Sequence, residues 1–140
     1  MVPSAGKDNA RLFFYRDSRF MSRGADAAIH INNNKVGECG NNAYFFIDVK
    51  AGRHITITAD NKGTPGTHTI EKDIASGNEY YIEVLVNEAY VESGIILGLI
   101  GQATYVAANK NSSGWIFKET PKEQAAQKIQ NNMAFSMNSE

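Results

Sequence analysis

The stretch RHITITA, residues 53–59, is the tightest constraint in the chain. Ile55, Ile57 and Ala59 alternate with His54, Thr56 and Thr58. Strict alternation puts the two sets on opposite faces of a strand, one buried and one wet. Related runs precede and follow it: RLFFYR (11–16), DAAIHI (26–31), AYFFIDV (43–49), HTIEKDI (68–74) and EYYIEVLV (79–86). RLFFYR is apolar on both faces, which predicts a strand covered on both sides. In EYYIEVLV, Tyr80, Ile82, Val84 and Val86 share one face, and Tyr81 lies on the other. The two adjacent tyrosines therefore form no single ligand platform.

Short turn clusters separate these runs. Strands of this length at this spacing predict an antiparallel β-sandwich or barrel. In AIHINNNKVGECG (28–40), Asn33 and Asn34 are expected to form a two-residue type I′ hairpin loop. Cys39 then falls after the hairpin, and a lone cysteine allows no internal disulfide. Gly52 is expected at a positive φ in the turn before RHITITA.

The pattern changes after residue 90. SGIILGLIGQATYVAA (93–108) is apolar and interrupted by glycines. It is expected to pack against the sandwich as a strand or helix, with a partner or self-association surface as the alternative. As a helix, residues 94–108 would reach only ~22 Å, too short for a bilayer. WIFKE (115–119) reads as another strand. A C-terminal helix follows, about 121–133, with Thr120 as N-cap, Pro121 at its first position and Glu123 completing a capping box. Ala125, Ile129 and Met133 form its apolar stripe. Residues 1–9 read as a flexible polar lead, 10–134 as one domain and 135–140 as a frayed tail.

The net charge is −1, from 14 basic and 15 acidic residues, with no block of like charge. This argues against a nucleic-acid binder and against a polybasic membrane patch. His30, His54 and His68 form no metal-ligand spacing on one element. Cys39 beside Glu38 lacks the electropositive setting of a nucleophile. The residues therefore predict no catalytic, cofactor or metal site and a non-enzymatic protein. A candidate interaction surface comprises Tyr90, Ile95, Leu97, Leu99, Tyr105 and Trp115. Loops 17–25, 60–67 and 87–114 are expected to face a partner.

The order YR-x-S-R-F, IHINNNKVGE, YFFIDVKAGRHITITA and SGNEYYIEV resembles a domain-of-unknown-function family of Gram-negative envelope proteins, many of them predicted lipoproteins. Its middle part is also similar to PEGA-type extracytoplasmic modules. The resemblance covers roughly residues 10–90. It implies a small β-sandwich, prealbumin-like or immunoglobulin-like, on the periplasmic side of the envelope, with no catalytic residues to carry over; with the strand pattern, the expected fold is a mainly antiparallel β-sandwich of about seven strands with one C-terminal helix. It also implies a lipid anchor, which would lie upstream of residue 1. The expected function is an accessory module that binds another envelope protein, with homo-oligomerisation a further expectation. The alternative is a carbohydrate or peptidoglycan binder, for which Tyr81, Tyr90, Tyr105 and Trp115 are the candidate aromatics.

Overall fold

A computed structural model describes residues 8–17, 26–60, 66–109, 113–132 and 134–135; the side chains of 90–99, 131–132 and 134–135 lie outside that description. The described residues form strands β1 (Asn9–Arg16), β2 (Ala27–Ile31), β3 (Asn34–Cys39), β4 (Ala43–Lys50), β5 (Arg53–Asp60), β6 (His68–Ile74) and β7 (Glu79–Val86). Helix α1 (Glu88–Ala108), β8 (Trp115–Thr120), α2 (Lys122–Asn132) and the two-residue β9 (Ala134–Phe135) complete the chain. One sheet has the order β8-β7-β1-β4-β9 and the other β3-β2-β5-β6. The sandwich expected from the alternation is present. Pairing is mostly antiparallel, but β1 runs parallel to β7 and β4 runs parallel to β9.

Residue parity explains the core. Leu12, Phe14, Phe45 and Ile82 from the first sheet meet Ile29, Ile55, Ile57 and Ala59 from the second. Burying side chains of this size gives about 1.5–3 kcal/mol each before entropy is counted. RLFFYR is indeed covered on both sides. Its odd residues Phe13 and Tyr15 face away from the core and pack with Tyr81, Tyr44, Ala125 and Ile129 under α2. Phe13 stacks on Tyr81 with centroids 4.6 Å apart.

Three local expectations need correction. The hairpin loop is Asn32-Asn33, at φ 50° and 69°, and not Asn33-Asn34. The type I′ geometry stands, since both central residues have positive φ. Ile31 is buried and pairs with Asn34, so the strand runs on to Ile31. Asn32 Oδ1 also accepts from the Thr56 N–H at 3.1 Å, which fixes that residue in the loop. Second, Thr120 is the last residue of β8 and does not cap the helix. Its hydroxyl accepts from Tyr15 Oη at 2.7 Å and donates to the Tyr81 carbonyl. Third, residues 88–108 form one helix, so 87–114 is not an irregular loop.

Gly37 and Gly52 have distinct reasons to be glycine. A Cβ on Gly37 would sit 2.9 Å from the Phe45 ring. Gly52 has φ +78°, as its turn position predicts. Phe135 pairs with Tyr44 in β9, at the start of the expected tail; residues 1–7 and 136–140, and Met133, lie outside the described residues.

Candidate functional site

Tyr15 and Arg16 grip β8 from two sides. Adjacent strand residues point to opposite faces. Tyr15 reaches Thr120 at the end of β8 on the outer face. Arg16 has the parity of Leu12 and Phe14, so it enters the core at the end of β1. Its guanidinium lies 4.3 Å from the Trp115 ring at the start of β8. It donates to the Cys39 carbonyl at 3.2 Å. Burial pushes the Arg16 pKa down, yet a guanidinium stays protonated in a protein. A cation over an indole face is favourable, and more so when desolvated.

Trp115 was expected on an interaction surface. It is 1% exposed and belongs to the core. Its parity in β8 points inward, and Ser113 fixes the strand start by donating to the Trp115 carbonyl at 2.9 Å and accepting its N–H at 3.0 Å. Tyr81 is also buried, beneath α2. Its hydroxyl donates to Glu79 at 3.0 Å. Burial first, then that carboxylate, pushes its pKa up to about 12. Neither ring is available to stack on a sugar.

The outer face beside Tyr15 is charged. Lys128 on α2 donates to Asp17 at 2.7 Å and to Glu83 at 3.3 Å. Glu83 is 5% exposed. The Asp17 hydrogen bond raises the Lys128 pKa, with smaller help from the Glu83 and Asp17 charges. A cavity of about 350 Å³ opens next to this group, lined by Arg16, Asp17, Asn42 and Glu83–Val86. Its size falls within the range of small-ligand sites. Sequence reading missed it. The available signal was a charged residue, Arg16, on a parity otherwise reserved for the core.

On α1, Ile100 is 78% exposed, the large hydrophobic most open to solvent among the described side chains. Ala103, Ala107 and Ala108 are exposed as well, while Tyr105 and Val106 are half-buried. On this half of the helix the side carrying Gly101, Gln102, Tyr105 and Val106 is buried or half-buried, and the opposite side carrying Ile100, Ala103, Thr104 and Ala107 is open to solvent. Tyr90, Ile95, Leu97 and Leu99 lie on the same helix, and their side chains fall outside the described set. Among the described residues, no helix is long and apolar enough to cross a membrane.

Cys39 is fully buried, and its thiol donates to the Ala43 carbonyl at 3.7 Å. Burial pushes the thiol pKa up to about 12, so the nucleophilic thiolate is scarce at neutral pH. His30 and His54 do face outward from the second sheet. His30 sits 3.4 Å from Asp60 in a shallow polar depression with Thr58 and Thr69. His54 lies between Asp73, at 2.7 Å, and Glu71, at 3.1 Å. Those two hydrogen bonds raise its pKa. Among the described residues, no group of three or more His, Cys, Asp or Glu is placed to hold a metal ion.

No curated protein and no solved structure matches the chain. A family model does match, over residues 6–95, which takes in β1 to β7 and the first turns of α1. The gripping pair Tyr15–Arg16 lies inside that match, while the gripped strand β8 and helix α2 lie beyond it. The chain belongs to the family described as Protein of unknown function (DUF2846).

Proposed function

We propose that the protein is a non-enzymatic binding module on the periplasmic side of a bacterial envelope, and that it engages another envelope protein through α1. The observation that carries this reading is the exposed Ile100, followed along one side of the helix by Ala103 and Ala107. From residue 93 to 109 the segment has no charged side chain. A helix without a polar face gains stability when a partner covers it. The resemblance to envelope proteins supports the location.

The experiment compares the parent with Ile100→Glu as bait in an envelope extract, using cross-linking before capture. The expected result is a discrete partner retained by the parent and lost by the variant, with unchanged circular dichroism. Equal capture by both proteins would remove α1 from the reading. Co-sedimentation of the parent with purified sacculi would favour the carbohydrate alternative instead. Fractionation of cells expressing the full-length gene product tests the location, and a cytosolic pool alone would overturn it.

A further inference from the structure

The second sheet ends in β3 on one side and β6 on the other, and the two edges are blunted differently. At β3 the register shifts opposite Ile29 and His30, and Lys35 bonds to Glu38 of the same strand at 2.8 Å. Such an irregularity bends an edge away from a would-be neighbour. At β6 the register is unbroken, from Arg53 opposite Ile74 to Ala59 opposite His68. Its backbone is regular, so any protection of this edge comes from side chains.

Parity shows which groups the edge offers. The Thr56 carbonyl accepts from the Asn32 N–H at 3.0 Å, and the Thr56 N–H donates to Asn32 Oδ1 at 3.1 Å. The even residues of β5 thus turn their backbone toward β2 and the odd ones toward β6. Thr56 lies opposite Glu71 and His54 opposite Asp73. Glu71 and Asp73 therefore point their N–H and C=O groups away from β5. Among the described residues no backbone partner meets those four groups. Both side chains are open to solvent, 65% for Glu71 and 91% for Asp73.

The charges at this edge can be placed in full. On the outer face His54 lies between the two carboxylates. Carboxylates only accept, so both ring contacts are complete when the imidazole is protonated. That strip then carries two negative charges and one positive. Lys72 and Arg53 have the opposite parity and belong to the other face. There Lys72 is bound to Glu119 and lies over the Tyr80 ring. His30 and Asp60 sit at the far end of the outer face. A second β6, antiparallel about Lys72, would meet all four backbone groups, with Glu71 of each copy bonding to Asp73 of the other. The same pairing sets carboxylate against carboxylate twice, and like charges directly opposite are destabilising. Centring the pair on Glu71 instead sets that residue against its own copy.

We propose that the β6 edge is a self-association site held closed by charge: Glu71 and Asp73 keep it from pairing with a second copy of the chain, and neutralising or reversing them opens it. This contact is separate from the α1 surface and does not depend on it.

The test is sedimentation velocity on the full chain, with hydrogen exchange to map the contact. Glu71→Thr combined with Asp73→Thr continues the row of Thr69 on the outer face. This variant should dimerise with a Kd at least tenfold below that of the parent, and exchange at residues 71 and 73 should slow at least tenfold. Glu71→Lys combined with Asp73→Lys should stay unpaired alone and should pair with the parent on mixing, because each carboxylate then meets an ammonium. Glu71→Pro combined with Asp73→Thr removes both charges and one outward N–H, and it spares the β5 ladder, which uses the even residues of β6. It should not pair. Ile100→Glu added to the threonine variant should leave the new dimer intact, which separates this edge from α1. Unchanged association by the folded threonine variant would overturn the proposal, as would the absence of a mixed dimer between parent and lysine variant. Equal association by the folded proline variant would overturn it too, and so would slowed exchange at Glu71 and Asp73 in the parent at millimolar concentration.

Discussion

The two sheets solve the same problem differently. The β3-β2-β5-β6 sheet is covered on one face, so β5 alternates Ile and Ala inward with His and Thr outward. The β8-β7-β1-β4-β9 sheet is covered on both faces over β1 and β7. The second layer is α2, which lays Ala125 and Ile129 on Phe13, Tyr15 and Tyr81. Strand composition therefore reports the number of covering layers. It also shows where the binding energy of each layer lies. The inner face is held mainly by packing, with the buried Arg16–Cys39 hydrogen bond at one end, whereas the outer face combines aromatic contact with directional bonds such as Tyr15–Thr120 and Lys128–Asp17.

The sharpest way to break that contrast is on the inner face. Phe14 is fully buried, with Phe45 at a centroid distance of 5.2 Å and Phe117 at 6.1 Å. Phe14→Ala should cost about 3–5 kcal/mol in denaturant unfolding. The outer face should be more forgiving. Tyr15→Phe keeps the ring and removes one buried hydrogen bond, a loss of about 0.5–1.5 kcal/mol. Equal losses at the two sites would erase the distinction between a packed face and a bonded one.

The wet face of the other sheet should be softer still. Thr58 Oγ1 and Thr69 Oγ1 lie 3.0 Å apart on that side, and Thr58→Val should change stability by no more than about 0.5 kcal/mol. His54 on the same face should show its setting in pH dependence and not in a large energy. Its folded pKa is raised by Asp73 and Glu71. The stability it adds is then fully present below its unfolded value of about 6.5 and is lost as pH rises through the folded value. Proton-NMR titration should find the His54 pKa lowered toward 6.5 in Asp73→Asn. An unchanged value would mean that the carboxylate contact does not persist in solution.

Much of the scaffold was legible because period-two alternation survives without any knowledge of partners. The faces of β2, β4, β5 and β7 follow directly from Ile29, Phe45, Ile57 and Ile82. Helix α2 was legible from its Ala125–Ile129 spacing, although Thr120 misled as a cap because its hydroxyl bonds across the sheet. Helix α1 gave no usable period, since Ile95, Ile96, Leu97, Leu99 and Ile100 leave no polar face to count from. The hairpin was misplaced by one residue because three successive asparagines all tolerate positive φ. The choice came from Ile31 and Thr56, one in the core and the other on a neighbouring strand. Asn33→Gly should accordingly hold or raise the thermal midpoint, by up to about 1 kcal/mol in stability. The cavity beside β7 depends on where two strands diverge, and that is a property of register that no single run of residues displays.

The connection between β7 and β8 has one more consequence, for how this scaffold varies. Val86 and Trp115 are already ladder partners, and the Asn87 N–H donates to the Gly114 carbonyl at 2.9 Å. The two ends of the intervening segment therefore meet whatever lies between them. Doubling the length of such an insertion costs only about 0.6 kcal/mol in closure entropy. The sandwich is thus a chassis with a socket at residues 87 and 114. Helix α1 can be lengthened, exchanged for a foreign sequence or trimmed to a tight turn while the strands on either side keep their register.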